Sequence, residues 1–363
     1  MGTASLGWLG PEAAHRSWPE KAAGGRIPSA NAWAARILFT ATDWHLQITR
    51  PVNTKHISYL YLLLLVQFVL IGYLWFRGRD SGATSNPTDT TARVQEAHSA
   101  GLQRVRIFEL PESPEFAGES VPMEDPEVYE RYEREIYVNA YWESNTLLMM
   151  KRAGKFFPFI EQTLKENGIP DDFKFVALIE SGLMNVTSPA GAKGFWQFMK
   201  GTAGDFGLEV SRDVDERYHF EKSTLAACKY LRASYGKFGN WTSVAASYNM
   251  GIAGITRRKN QQLSPDYYDL YLNEETSRYL FRALALKEIF ENPGKYGFEL
   301  QRDDLYEIPP LREIEVTESI SNLAEWAKEH KSTYKEVKTY NPWLISRQLN
   351  VRRGRSYVIK LPV

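Results

Sequence analysis

The order of apolar and polar positions divides the chain into stretches of different period. From about Asp125, the residues Tyr129, Tyr132, Ile136, Ala140 and Leu147 recur at helical spacing, and Pro126 stands where a first helical turn accepts it. This pattern predicts one long helix to about Ala153. A second helix is expected over about 155–167, closed by Gly168 and the breaking run IPDD. The next begins in FKFVALIESG, residues 173–182, and further helical patterns fall near 195–206, 221–237, 241–251 and 275–292. Strand signals are scarce over this stretch. After NPGKYGFEL the period changes. IPPLREIEV reads as a strand, SNLAEWAKEHKS and YKEVKTYNPW as helices, and SYVIKLP as a closing strand.

Upstream, residues 57–76 (ISYLYLLLLVQFVLIGYLWF) form an uncharged block long enough to cross a bilayer. Tyr59, Tyr61, Tyr73, Trp75 and Phe76 lie near its ends, where interfacial aromatics sit. RGRD follows without a small-residue cleavage site, which favours an uncleaved anchor over the alternative, a cleaved signal segment. Residues 1–56 have mixed composition and are expected to be a disordered extension. Residues 77–123 are rich in Gly, Ser, Thr and Pro and read as a tether. The expected organisation is therefore an extension (1–56), a membrane segment (57–76), a linker (77–123), a mainly α domain (124–298), a second linker (299–310) and a small βααβ module (311–363).

Composition narrows the function classes. Lys+Arg and Asp+Glu both number 44, so no global field points to nucleic acid. Aromatics reach 13%, which suits surfaces for flat or amphipathic ligands as well as a ring-rich core. The single cysteine, Cys228, excludes an intrachain disulfide and a thiolate metal cluster. The six histidines show neither HxxxH nor HExxH spacing, so no metal site and no cofactor are expected.

Glu180 is the residue with chemistry. Phe173, Val176, Ala177 and Glu180 share one helical face, while Phe175, Leu178 and Ile179 cover the other. A carboxylate in such a helix must find a partner, reach a cleft or keep its proton. With its charged form disfavoured, its pKa rises towards neutrality, and it can then give a proton to a leaving oxygen and take one back. The alternative is a glutamate that caps or salt-bridges at a helix end.

Downstream stand SPAGAKGFWQFM (188–199), AASYNMG (245–251) and ETSRYL (275–280). Taken in order with the ES pair at 180–181, these motifs resemble the lytic transglycosylase domain of the lysozyme superfamily. They look most like the membrane-bound lytic murein transglycosylase D family, over about 125–295. The resemblance implies a mainly α, lysozyme-like catalytic domain of the α+β superfamily. It implies Glu180 as sole general acid/base, cutting the bond between N-acetylmuramic acid and N-acetylglucosamine in peptidoglycan strands and leaving a 1,6-anhydro end. It assigns Trp196, Gln197, Tyr248, Asn249 and Tyr279 to sugar contact, Ser188 to orienting the acid or the sugar, and Gly191 and Gly194 to close backbone approach. Asp205, the nearest acid downstream of Glu180, is not excluded as a second carboxylate.

Two departures from the family pattern stand out. ESGLMNVTS is one residue shorter than the usual path from glutamate to serine, and Met250 stands where a small residue is common. The terminal module resembles, more loosely, a lysin motif that grips N-acetylglucosamine chains. YNPW and SYVIKLP fit its second helix and last strand, but Glu318 and Ser319 replace the Asp and Thr of its usual start. The implied place is the periplasmic side of a bacterial envelope, tethered to the membrane through residues 57–76. Two other readings stay open: a muramidase hydrolase of the same fold, and a non-catalytic peptidoglycan-binding scaffold.

Overall fold

The computed structural model describes residues 106–363. The expected extension, the membrane segment and most of the first linker lie outside the described residues. Among those described, no helix is long and apolar enough to cross a membrane.

A short antiparallel hairpin opens the fold, β1 (Glu115–Phe116) with β2 (Glu119–Ser120). Helix α1 (Pro126–Tyr141) starts on Asp125, whose side chain accepts the Glu127 N–H, with proline in the first turn. The single helix expected to reach Ala153 is interrupted earlier. Trp142 leaves helical geometry (φ −90°, ψ 55°), and α2 (Glu143–Glu166) runs through the expected break at position 154. Apolar spacing continues across Trp142, so periodicity alone could not place this bend. Asn139 and Thr146 hold it from either side, with the Thr146 hydroxyl donating to the Asn139 carbonyl at 2.6 Å.

After a 3-10 turn at Asp171–Phe173 come α3 (Lys174–Ser181) and α4 (Lys200–Asp205). Helix α4 is shorter than the expected 195–206, because Phe195–Met199 form turns around the site. The helices α5 (Phe220–Phe238), α6 (Trp241–Met250) and α8 (Glu274–Glu291) match expectation, and α6 and α8 are capped by Asn240 and Asn273. Helix α7 (Ile252–Gln262) carries the polar run TRRKNQQ and buries only Gly254 and Ile255, so no apolar stripe announced it. Helix α8 packs on α1, α3 and α6, and every residue of α3 from Phe175 to Ser181 is buried.

The C-terminal module has the expected βααβ order. Strand β3 (Leu311–Val316) pairs antiparallel with β4 (Tyr357–Pro362), Leu311 opposite Pro362 and Val316 opposite Tyr357. Between them lie α9 (Leu323–Glu329) and α10 (Tyr334–Tyr340), the latter started by a Thr333/Glu336 capping box. Leu323, Val337, Trp343, Leu349 and Ile359 form its apolar centre, which Val214 of the helical domain also enters.

The described parts of both expected linkers are held against the helical domain. Phe108, Phe116 and Val121 are part of the main core. The Glu119 carboxylate accepts the Trp241 N–H (2.5 Å), the Thr242 N–H (2.8 Å) and the Thr242 hydroxyl (2.6 Å), closing the N-terminus of α6. Residues 108–123 thus belong to the helical domain; a few anchors in a polar stretch are invisible to composition. The segment 299–310 is likewise held, with Leu300 against the core and the Tyr306 N–H donating to the Lys151 carbonyl at 2.9 Å. Phe116→Ala is expected to destabilise the folded chain by about 3–5 kcal/mol in urea unfolding. A loss below about 0.5 kcal/mol, as for a true tether, would remove the hairpin from the core.

Candidate active site

Helix α3 ends one residue after the acid. Gly182 takes the left-handed conformation (φ +59°) and returns its N–H to the Leu178 carbonyl at 2.8 Å, a geometry glycine adopts without steric cost. The Arg152 side chain, reaching over from α2, donates to the Gly182 carbonyl at 2.6 Å. Glu180 therefore sits in a pinned final turn, 3% exposed. Its Oε1 accepts the Tyr279 hydroxyl at 2.5 Å, across 99 residues of sequence. Arg282, one turn further along α8, donates to the Ile179 carbonyl at 3.0 Å.

These contacts compete for the carboxyl. Burial disfavours its charged form, and the Glu275 charge adds to that, while the Tyr279 hydrogen bond and the Arg282 charge oppose. Burial prevails, pushing Glu180 from 4.5 up to about 7. Burial, and then the Glu180 charge, hold the Tyr279 and Tyr248 hydroxyls well above the ordinary phenol range, so both remain donors.

The loop after α3 builds the facing wall. The Ser181 hydroxyl donates to the Phe195 carbonyl at 2.8 Å, tying that loop to the residue beside the acid. Lys193 bridges in β fashion to both Thr187 and Phe198, folding GAKGFWQF back on itself. Gly194 (φ +80°) has to be glycine, since a Cβ there would lie 1.8 Å from the Arg217 carbonyl oxygen. The result is a small cavity lined by Glu180, Trp196, Gln197, Phe198, Thr202, Tyr230 and Tyr248.

The sequence-predicted residues fall into two groups. Trp196, Gln197 and Tyr248 share that cavity with Glu180. Trp196 is fully buried, its indole N–H donating to Thr224 Oγ1 at 3.0 Å and its carbonyl accepting the Tyr248 hydroxyl at 2.9 Å. Gln197 has left-handed backbone (φ +48°), unusual for a residue with a side chain. Its amide nitrogen donates to the Gly194 (2.7 Å) and Val186 (3.2 Å) carbonyls, while the buried Oε1 has no hydrogen-bond partner.

Ser188, Asn249 and Tyr279 do not line the cavity. The Ser188 hydroxyl accepts the Ala192 N–H at 3.0 Å and shapes the loop. Asn249 accepts the Thr276 hydroxyl (2.7 Å) and donates to Glu275 (3.2 Å), joining α6 to the start of α8. Tyr279 acts on the carboxyl itself. Asp205 is exposed at the end of α4 and is not a lining residue. Sequence reasoning missed Phe198, Thr202 and Tyr230 in the wall and Arg282 and Glu275 in the electrostatics. For Arg282 a signal existed, since it lies at i+3 from Tyr279 on one helical face.

Comparison with known proteins bears on this constellation. Residues 157–270 match the family model described as Transglycosylase SLT domain. Residues 312–363 match that of the Soluble lytic transglycosylase C-terminal LysM-like domain. Membrane-bound lytic murein transglycosylase D of Escherichia coli K12 is 28% identical over 235 residues, 62% of this chain and 50% of the relative. The protein of the same name from Escherichia coli O6:H1 gives the same figures. The chain thus spans about half the length of the curated relatives it matches. Six of the seven residues singled out above lie inside the SLT match, and Tyr279 lies past its end.

Because folding raises Glu180 from 4.5 to about 7, the folded state holds a proton that the unfolded state has lost between those values. The penalty for burying the charge is absent below the lower value and complete above the upper one. Glu180→Gln is therefore expected to match the wild type near pH ~4 and to exceed its stability by about 3 kcal/mol near pH ~8. Urea unfolding across this range measures it; a difference independent of pH would mean an unperturbed carboxyl.

Proposed function

We propose that this chain, which carries a transglycosylase SLT domain and a lytic-transglycosylase C-terminal LysM-like domain, is a peptidoglycan lytic transglycosylase. The bond cut is the β-1,4 linkage between N-acetylmuramic acid and N-acetylglucosamine, and the product ends in 1,6-anhydro-N-acetylmuramic acid. The observation that supports this reading best is a buried carboxyl, raised to about 7, on the wall of a small aromatic-lined cavity.

With Tyr279 engaging Oε1, Glu180 transfers its proton through Oε2 to the glycosidic oxygen, and the bond from C1 to that oxygen breaks. The muramoyl C6 oxygen then attacks C1, and the Glu180 carboxylate takes the C6 hydroxyl proton. The acid is restored and no water is consumed. Arg282 steadies the carboxylate in the interval when it is charged. The unpartnered Gln197 Oε1 suits an N–H or O–H of the bound sugar, since a buried acceptor gains most from a ligand donor. The C-terminal module would grip N-acetylglucosamine units of the same strand. Residues 57–76 would hold the enzyme at the membrane on the periplasmic side, in keeping with the word membrane-bound in the relatives' name.

A hydrolase would need a second carboxylate to hold water. Glu275 is the acid whose charge acts on Glu180, but it is exposed and bonded by the Asn249 amide. Mass spectrometry of digested sacculi separates the two, because anhydro products are lighter by one water. Glu180→Gln is expected to lower product release at least about 10²-fold while sacculus binding persists. Wild-type-like turnover in that variant would defeat the mechanism. Tyr279→Phe removes an interaction that lowers the Glu180 pKa, so the acid stays protonated to higher pH. The alkaline limb of kcat/KM should move upward as the maximum rate falls; a limb that stays in place or moves down would separate Tyr279 from the acid.

A further inference from the structure

The segment 209–219 lies between the C-terminal module and the cavity wall, and it touches both. On the module side, the Asp215 N–H donates to the Trp343 carbonyl and the Ile345 N–H to the Asp213 carbonyl, each at 2.9 Å. Val214 is buried in the module's apolar centre, the Asn350 amide bonds the Asp213 carboxylate, and the Tyr357 hydroxyl donates to Glu209 at 3.0 Å. On the cavity side stands Arg217, 4% exposed. Its guanidinium forks onto both Asp215 oxygens at 2.8 Å and donates to the carbonyls of Gly191 (3.1 Å) and Phe198 (3.2 Å). The Arg217 backbone carbonyl fills the space over Gly194, and the Tyr218 hydroxyl bonds Thr187 at 2.6 Å.

We infer that the C-terminal module positions the cavity wall, acting through Asp215 and Arg217, and that Arg217 is a positioning residue for the reaction proposed above. The inference rests on that proposed reaction. Gln197, between two carbonyls tied into this network, holds a left-handed backbone that persists only where its surroundings over-determine it. A bidentate, buried guanidinium–carboxylate pair specifies direction as well as charge, and its spare N–H groups carry that direction to Gly191 and Phe198. Burial alone would raise the Asp215 carboxyl, but the Arg217 bonds and charge and the Lys193 charge hold it below its ordinary value, so the pair stays ionic. A module serving only as a sugar grip would need no contact with the catalytic wall. Here the docking surface leads by successive hydrogen bonds from Trp343 to Phe198, a cavity-lining residue.

The test uses the full chain with soluble, uncrosslinked glycan strands, each variant assayed well below its own melting temperature so that kcat refers to folded enzyme. Arg217→Lys keeps the charge but loses the fork. Asn350→Asp sets a second carboxylate against Asp213 on the module side, at a position that does not line the cavity. Asn350→Ala is the milder version if Asn350→Asp does not fold. Both positions should lower kcat about tenfold or more while KM stays within about twofold, as misplacement of a reacting geometry does. A wild-type kcat in either, or a change in KM alone, overturns the coupling and leaves the module a binding or stabilising appendage. The wild type is run alongside: absence of anhydro product from it sinks the proposed activity. Anhydro product from the wild type with unaltered variants sinks the coupling alone.

Discussion

A carboxyl enclosed in an apolar helix and met by one phenolic hydroxyl at 2.5 Å is the contact on which this fold is arranged. Left without a donor, the Glu180 carboxylate would be too costly to ionise inside the core; ringed by donors, it would be too acidic to hold a proton near neutrality. One hydrogen bond from Tyr279 and the field of Arg282 offset burial only in part, and burial prevails. That balance requires α3 and α8 to dock at a fixed depth. The abrupt end of α3 at Gly182, the Arg152 strut onto its carbonyl, and the packing of α8 on α1, α3 and α6 all serve it.

The facing wall is made differently. Helices bring the acid, but turns bring Trp196, Gln197 and Phe198, and turns have no ladder of their own to hold them. Their rigidity is borrowed. Ser181 holds the Phe195 carbonyl, Thr224 holds the Trp196 indole, and Arg217 holds two carbonyls of the loop. Segment 209–219 in turn leans on the βααβ module, whose apolar centre accepts Val214. Helical domain and module therefore share one continuous set of contacts from the acid to the last strand.

Much of the helical order was legible before any coordinates. Helices α5, α6 and α8 and the βααβ order of the module follow from apolar spacing, which acts within a few residues; the caps Asn240, Asn273 and Thr333 emerged only in the structure. The bend at Trp142 was not legible, because the apolar period runs through it undisturbed. Helix α7 was missed because its stripe is too thin. Phe108, Phe116, Val121 and Glu119 were lost in a polar stretch, where each anchor is an isolated position with no repeating neighbour.

The sequence by itself determined that Glu180 would sit in a helix apolar on both faces and that a small βααβ module would close the chain. These are consequences of local period. Tertiary structure alone decided that Tyr279 meets the acid while Ser188 and Asn249 brace loops and helices, and that Glu209 meets Tyr357 across 148 residues. Such pairings depend on how elements dock in three dimensions, and the spacing of residues along one chain carries no record of that.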